Sequence, residues 1–138
     1  MEAKDFLEVA KRLLNSEDEA DRRTSISRAY YAVFNQVKSF LANANIKLPK
    51  DAAGHEKAHQ YLLNSGIQEA RKLADALSNL RNNRNDADYE LLSPKFPYDK
   101  KNCGLACFKA VQFFERFDKI NRASIVDGIL DYKRKTNN

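Results

Sequence analysis

The sequence has few residues that break helices and no pattern that indicates a β-sheet. Its 138 residues include only four glycines and three prolines, and no segment alternates apolar and polar residues between turn residues. Residue types that favour helices, such as alanine, leucine, lysine and glutamate, are abundant. No glycine-rich phosphate loop is present, which excludes the motifs of the common nucleotide-binding folds. The composition therefore predicts an all-α protein.

Long apolar segments are also absent. The longest apolar run, residues 29–34, is far too short to cross a bilayer. The charged beginning of the sequence contains no apolar signal-peptide region. We therefore expect a soluble, cytoplasmic protein that does not contact membranes, with one domain over residues 1–138.

Only two cysteines occur, Cys103 and Cys107, in a C-x-x-x-C spacing. Without further cysteine or histidine nearby, this pair is not a credible zinc site. In a cytoplasmic chain we expect both to be reduced core residues.

The net charge of +5 is unevenly distributed. Residues 95–138 carry 10 Lys and Arg against 5 Asp and Glu, whereas residues 1–94 carry 14 of each kind. A basic last third is compatible with an acidic partner or nucleic acid, although such an excess is also common on soluble proteins.

Apolar periodicity predicts six helices. We expect them at about 3–15, 16–44, 55–64, 68–89, 99–121 and 123–131. The S-x-x-E pattern of Ser16 and Glu19 predicts the start of the second helix. A frayed basic tail is expected from about residue 132.

Two of these helices have marked apolar faces. The predicted inner stripe of the second helix comprises Ile26, Tyr30, Val33, Val37 and Leu41. The aromatic-rich side of the fifth comprises Phe108, Val111, Gln112, Phe114, Phe117 and Ile120.

The helix at 68–89 has an apolar stripe that continues into charged residues. The stripe consists of Leu73, Leu77 and Leu80. At about 100° per residue, Arg81, Arg84 and Asp88 share an arc of roughly 60° that extends this face. Burying such charges costs several kcal/mol unless they are paired. One explanation is an ion pair between Arg84 and Asp88. The other is a polar pocket or symmetric interface that binds an anion such as phosphate.

A second motif, H-E-x-x-H, is formed by His55, Glu56 and His59. Two histidines one helical turn apart can ligate zinc while the glutamate polarises a bound water. A third ligand is required, and only Glu69 and Glu90 are nominal options. A zinc hydrolase is therefore the third alternative, and two helix-start histidines without metal are the simpler interpretation.

Two segments together resemble the HEPN superfamily (higher eukaryotes and prokaryotes nucleotide-binding domain), in particular its small stand-alone prokaryotic members. One is S-I-S-R-A-Y-Y-A-V-F at residues 25–34, and the other is L-R-N-N-R-N-D-A-D-Y at residues 80–89. The resemblance extends over roughly residues 1–120. It implies an all-α up-and-down bundle of about four long helices plus one or two short ones.

The resemblance also implies functions. Many HEPN proteins are metal-independent endoribonucleases with an R-x(4–6)-H motif, whose arginine binds the scissile phosphate and whose histidine is the acid or base. Others are toxins paired with a nucleotidyltransferase antitoxin, act in phage defence, or serve as non-catalytic RNA-binding or scaffold modules. Most dimerise through the motif-bearing helices.

This sequence departs from that motif. Counted from Arg81, the histidine position falls within residues 86–88, and counted from Arg84 it falls within residues 89–91. Neither range contains histidine. Asp88 can accept a proton but is a poor acid at neutral pH unless burial raises its pKa. His55 or His59 can complete the motif only from another helix or across a dimer, so the sequence leaves catalysis open.

The expected site follows from the motif. The candidate catalytic residues are Arg81, Arg84 and Asp88, and the candidate RNA- or nucleotide-binding residues are Arg81, Asn82, Arg84, Asn85, Tyr89 and Tyr30. The expected partners are a second copy of the chain, RNA or a nucleotide, and a nucleotidyltransferase-type antitoxin. No metal or other cofactor is expected. The rival interpretation is a non-catalytic dimeric interaction module.

Overall fold

The computed structural model describes residues 1–136, which form six α-helices without any β-strand. The helices are α1 (Ala3–Leu13), α2 (Glu19–Asn43), α3 (Ala52–Leu63), α4 (Gln68–Tyr89), α5 (Lys100–Phe117) and α6 (Arg122–Thr136). The all-α prediction is confirmed. No helix within these residues is long and apolar enough to cross a membrane.

α2 lies at the centre of the bundle, packed against α1, α4 and α5. The five side chains predicted to form its inner stripe are all fully buried. α3 packs mainly on α4 and also contacts α2 and α6. The two helices that carry the HEPN-like segments therefore lie side by side, with α3 next to both.

The predicted start of α2 was wrong by three residues. The Ser16 hydroxyl donates a hydrogen bond to the Asp21 carboxylate at 2.7 Å and accepts one from the Asp18 backbone N–H at 3.1 Å. Ser16 thus orders a turn before the helix instead of capping it, and the first helical residue is Glu19. A side chain of this type offers the backbone several local arrangements, and the S-x-x-E spacing does not select among them.

α6 is longer than expected and continues to Thr136, through most of the tail that was predicted to fray. Asp131 forms ion pairs with Arg134 at 3.4 Å and Lys135 at 2.9 Å, which support the last turn. The ring of Tyr132 lies 6.4 Å from that of Tyr61 on α3. The final two residues of the expected tail, 137–138, lie outside the described residues.

The contact between α6 and the end of α3 is close. A Cβ atom at Gly128 would overlap the backbone carbonyl of Ser65, so only glycine fits at this position. α6 therefore braces the end of α3.

The apolar side predicted for α5 is confirmed in part, since Phe114 and Phe117 are buried. Phe113 is buried, whereas Phe108, expected on the inner side, is 56% exposed. Cys103 and Cys107 are buried free thiols, as predicted for core residues. Burial raises the pKa of the Cys107 thiol to about 11.

A buried polar group fixes the end of α4. The carboxylate of Asp86, only 3% exposed, accepts hydrogen bonds from the Tyr98 hydroxyl and, at 3.2 Å, from the Lys95 backbone N–H. Arg23 of α2 donates to the Ala87 carbonyl at 3.0 Å and lies over the Tyr98 ring at 4.3 Å. These contacts join the end of α4 to α2 and to the loop before α5.

Candidate phosphate-binding site

Arg84 extends from α4 toward two tyrosines of α2. The apolar stripe of α4 is buried through Leu80, and Arg84 is half-buried four residues later. Its Nη2 donates a hydrogen bond to the Tyr31 hydroxyl at 3.1 Å. The guanidinium carbon lies 5.6 Å from the ring centre of Tyr30 and 5.3 Å from that of Tyr31. At these distances an aromatic ring attracts a cation, so aromatic rings accommodate the charge at the end of the stripe.

The ion pair considered between Arg84 and Asp88 is not formed. Over residues 1–136, none of the ion pairs includes Arg84. Asp88 is exposed at the end of the same helix. Partial burial raises the pKa of its carboxyl, while the nearby charges of Arg84 and Arg28 and a hydrogen bond with Ser27 oppose the rise. The guanidinium of Arg84 turns toward α2 instead, because the Tyr31 hydroxyl and two rings lie there.

Arg81 lies one turn earlier on the same face of α4. Its Nη1 is 3.5 Å from Oε2 of Glu56 on α3. The Arg81 side chain is 27% exposed and that of Glu56 is 59% exposed. Because Glu56 is so well hydrated, this pair is weak, and another anion can compete with it.

A third guanidinium comes from α2. Arg28 lies over the rings of Phe6 and Tyr31, at 5.4 Å and 5.1 Å from their centres. The Tyr31 ring therefore contacts two guanidinium groups, those of Arg28 and Arg84. We call Arg28, Arg81 and Arg84 the arginine cluster. In all three, the buried Nε has no hydrogen-bond partner within residues 1–136.

His55 of α3 contacts the same two tyrosines as Arg84. Its ring stacks on Phe34 with the ring centres 4.0 Å apart, and its Nδ1 is hydrogen-bonded to the Tyr30 hydroxyl. The ring centres of Tyr30 and Tyr31 lie 5.5 Å and 6.0 Å from that of His55. The next residue, Glu56, is the partner of Arg81. α4 has no histidine at the position that the R-x(4–6)-H motif requires, and His55 of α3 lies beside the arginine cluster instead.

Both polar partners in this contact are held uncharged. Burial, together with the positive charges of Arg81, Arg84 and Lys38, lowers the pKa of the His55 imidazole to about 4. Burial raises the pKa of the Tyr30 phenol, against the effect of the two α4 arginines. Near neutral pH the contact therefore joins a neutral imidazole to a protonated phenol.

The structure divides the residues that the sequence grouped into one binding site. Asn82, Asn85 and Tyr89 line a shallow cavity of about 210 Å³ on another face of α4, with Asp86 among its other lining residues. Helical geometry explains the separation, since each asparagine follows a cluster arginine by one residue and is therefore rotated about 100° from it. Of the named binding residues, Tyr30 is the one that lies with the two α4 arginines.

The H-E-x-x-H segment does not gather a third metal ligand. Nδ1 of His55 is occupied by Tyr30, and Glu56 is directed to Arg81. Within residues 1–136, no group of three histidine, cysteine or acidic side chains is placed to hold a metal ion.

The sequence leads us to expect that Tyr30 or Tyr31 turns its hydroxyl toward the charged residues of α4, and in the structure the Tyr31 hydroxyl contacts Arg84. Two residues of this site are not assigned by the sequence: Arg28 stands out only as part of the family-like segment, and His55 chiefly as a possible zinc ligand. The i, i+3 spacing of Arg28 and Tyr31 is a signal that could have placed both on one face of α2. No spacing rule connects His55 to α4.

Fold and site together define a class of protein: an all-α bundle in which two packed central helices hold arginines against tyrosine rings. The sequence model described as the HEPN domain matches residues 1–120, which include α1 to α5 and the whole arginine cluster. The chain belongs to the HEPN family. No curated protein and no solved structure matches it.

Proposed function

We propose that this HEPN chain binds RNA or a nucleotide through phosphate groups at the arginine cluster. The observation that supports this most directly is that few negative charges neutralise the three arginines. Arg28 and Arg84 lie over the shared ring of Tyr31, and the only ion pair of the arginine cluster within residues 1–136 is the weak one between Arg81 and Glu56. Guanidinium groups bind phosphate oxygens in pairs of parallel hydrogen bonds, so they are suited to a bound phosphate.

The aromatic contacts favour binding because they hold the guanidinium groups in place beforehand. A free arginine side chain loses considerable conformational entropy when it is ordered by a ligand. Arg28 and Arg84 are already ordered against Tyr31, and Arg84 also by its hydrogen bond to the hydroxyl. Less of the binding free energy is therefore spent on ordering them.

Metal-independent RNA cleavage is the activity we propose for this site. The ribose 2′-oxygen attacks phosphorus as the bond to the 5′-oxygen breaks, and the arginines stabilise the negative charge on the crowded phosphate. The 2′-hydroxyl loses a proton and the departing 5′-oxygen gains one, by way of His55 and water. His55 suits this proton exchange better than Asp88 because its ring lies against the same tyrosines as Arg84, whereas Asp88 is exposed.

The proposed assembly is a homodimer that brings together the motif-bearing helices. Three large apolar side chains are exposed at and just after the end of α4: Tyr89 at 71%, Leu91 at 68% and Leu92 at 98%. An exposed apolar patch of this kind is typical of an interaction surface. A toxin or defence role, with a nucleotidyltransferase as antitoxin, fits such an assembly.

The rival proposal is a non-catalytic interaction module in which the arginine cluster only fixes the dimer. In that case the arginines have only a structural role, and their loss would weaken dimerisation or stability. The departure of α4 from the R-x(4–6)-H motif favours this alternative.

Binding is tested with a fluorescent oligouridylate. We expect Arg84→Ala to weaken binding roughly 10- to 100-fold, because it removes a charge-assisted contact to phosphate. Fluorescence anisotropy at a fixed low salt concentration measures the dissociation constant.

The matched control is Arg71→Ala, which removes the same charge from an exposed position on the same helix. It should change the affinity about 3-fold at most, through the general electrostatic attraction alone. Equal losses in the two variants would contradict a site at the arginine cluster. Loss of the dimer in Arg84→Ala alone, measured by light scattering, would favour the interaction module.

A further inference from the structure

One nitrogen of His55 is free to take a ligand. Nδ1 is hydrogen-bonded to Tyr30, and no partner for Nε2 is found within residues 1–136. The ring is held on one side by its stack with Phe34, at a 4.0 Å separation and an 18° angle. Its position beside Arg84 is fixed by the two tyrosines that both side chains contact. A ring held in this way, with one free nitrogen beside the arginine cluster, is a further polar group of the same site.

We infer that His55 is a further ligand of the bound phosphate, beside the arginine cluster, and takes up a proton when the phosphate binds. This inference rests on the proposed phosphate binding at the arginine cluster. In the protonated imidazole both nitrogens donate. Nδ1–H then donates to the Tyr30 oxygen, and Nε2–H donates to a phosphate oxygen. The Tyr30 hydroxyl serves both states because it can either donate or accept.

The charges around His55 determine the direction of the effect. From α2 it is faced by Tyr30, Tyr31 and Lys38. From α4 it is faced by Arg81 and Arg84, and on its own helix the neighbouring Glu56 is paired with Arg81. Apart from Glu56, these groups are cationic or neutral, so they disfavour an imidazolium in the free protein. A phosphate among them adds negative charge and reverses that preference.

The consequence is a coupling between pH and affinity. In the protein without phosphate, the His55 imidazole has a pKa of about 4. A bound anion moves this pKa up toward the usual value of about 6.5. A group whose pKa rises on binding takes up protons when the ligand binds. The affinity therefore increases as the pH falls through the pKa of the bound state, and it levels off near the pKa of the free state. Above about pH 7 the affinity should no longer depend on this group.

The test uses oligouridylate, because uracil and phosphodiesters do not titrate in the relevant range. We expect the wild-type chain to bind roughly 10- to 30-fold more tightly at about pH 5 than at about pH 8. His55→Gln, which keeps a hydrogen-bonding group beside Tyr30 but cannot take up a proton, should lose most of this dependence. His59→Gln, one turn along the same helix, should retain it.

Proton uptake can also be measured on the wild type alone. Titration calorimetry near pH 6, in two buffers with different ionisation enthalpies, should show a net uptake of up to one proton per oligouridylate bound. Circular dichroism of each variant before oligouridylate is added verifies that the helices are intact.

The same pH dependence in all three proteins, or no buffer-dependent heat in the wild type, would overturn the role of His55 and leave phosphate binding standing. No binding by the wild type at any pH would overturn the proposed function itself. The two failures are thus distinguishable. A dependence that His55→Gln alone removes supports the assignment.

Discussion

RNA cleavage by the wild-type chain in EDTA is expected to fall at least about 100-fold in the double variant Arg81→Ala, Arg84→Ala. In the proposed reaction both guanidinium groups stabilise the charge that develops on the phosphate, and loss of one such contact in an enzyme typically costs a factor of about 100 or more. EDTA removes any contribution from contaminating metal-dependent nucleases. End-labelled single-stranded RNA resolved on a denaturing gel gives the rate.

The control for this prediction removes two positive charges elsewhere. Arg12 and Arg71 are both exposed, so Arg12→Ala, Arg71→Ala should cleave at nearly the wild-type rate. Light scattering shows whether each variant has the oligomeric state of the wild type. Wild-type protein that binds RNA without cutting it would refute the proposed ribonuclease and favour the non-catalytic module. Undiminished cleavage by the cluster variant would place the active site elsewhere.

Replacement of Asp86 by alanine is expected to lower the free energy of unfolding by about 3 kcal/mol or more. The substitution deprives the buried Tyr98 hydroxyl and the Lys95 N–H of their acceptor, and an unsatisfied buried donor costs about 1–3 kcal/mol. It also leaves a cavity where the carboxylate was. Urea denaturation followed by circular dichroism measures the change.

Two comparison variants make this prediction specific. Tyr98→Phe removes one partner but keeps the ring beside Arg23, so it should cost less than Asp86→Ala. Asp75→Ala, at an exposed position of the same helix, should change stability by no more than about 0.5 kcal/mol. If Asp86→Ala proved as mild as Asp75→Ala, the buried carboxylate would not fix the end of α4.

The number and order of the helices were predictable because burial imposes a period on the sequence. The stripe from Ile26 to Leu41 is fully buried as predicted, and the α4 bounds agree at both ends. Helix ends were less predictable because single side chains decide them. The Ser16 side chain stabilises a turn before α2 instead of capping the helix. The ion pairs of Asp131 support the last turn of α6, and apolar periodicity does not predict such pairs.

The position of the two α4 arginines was predictable, but their contacts were not. Charged residues that continue an apolar stripe must face the bundle, and this placed Arg81 and Arg84 correctly at the boundary of the core. Their long side chains can reach several partners, however, and the packing of α2 against α4 selected Tyr31 over Asp88 for Arg84. His55 lies 25 residues from Tyr30 in the sequence. Their contact depends on how α3 folds back, which no local pattern encodes.

NMR of the arginine side chains tests most directly whether phosphate binds at the arginine cluster. Each Nε–H of Arg28, Arg81 and Arg84 is buried and lacks a hydrogen-bond partner within residues 1–136, so its resonance should shift when phosphate binds the exposed end of the same guanidinium group. On titration with oligouridylate, these three signals should shift together and saturate with one affinity. Shifts confined to the basic segment at Lys133 and Lys135, with the three Nε–H signals unchanged, would contradict phosphate binding at the arginine cluster.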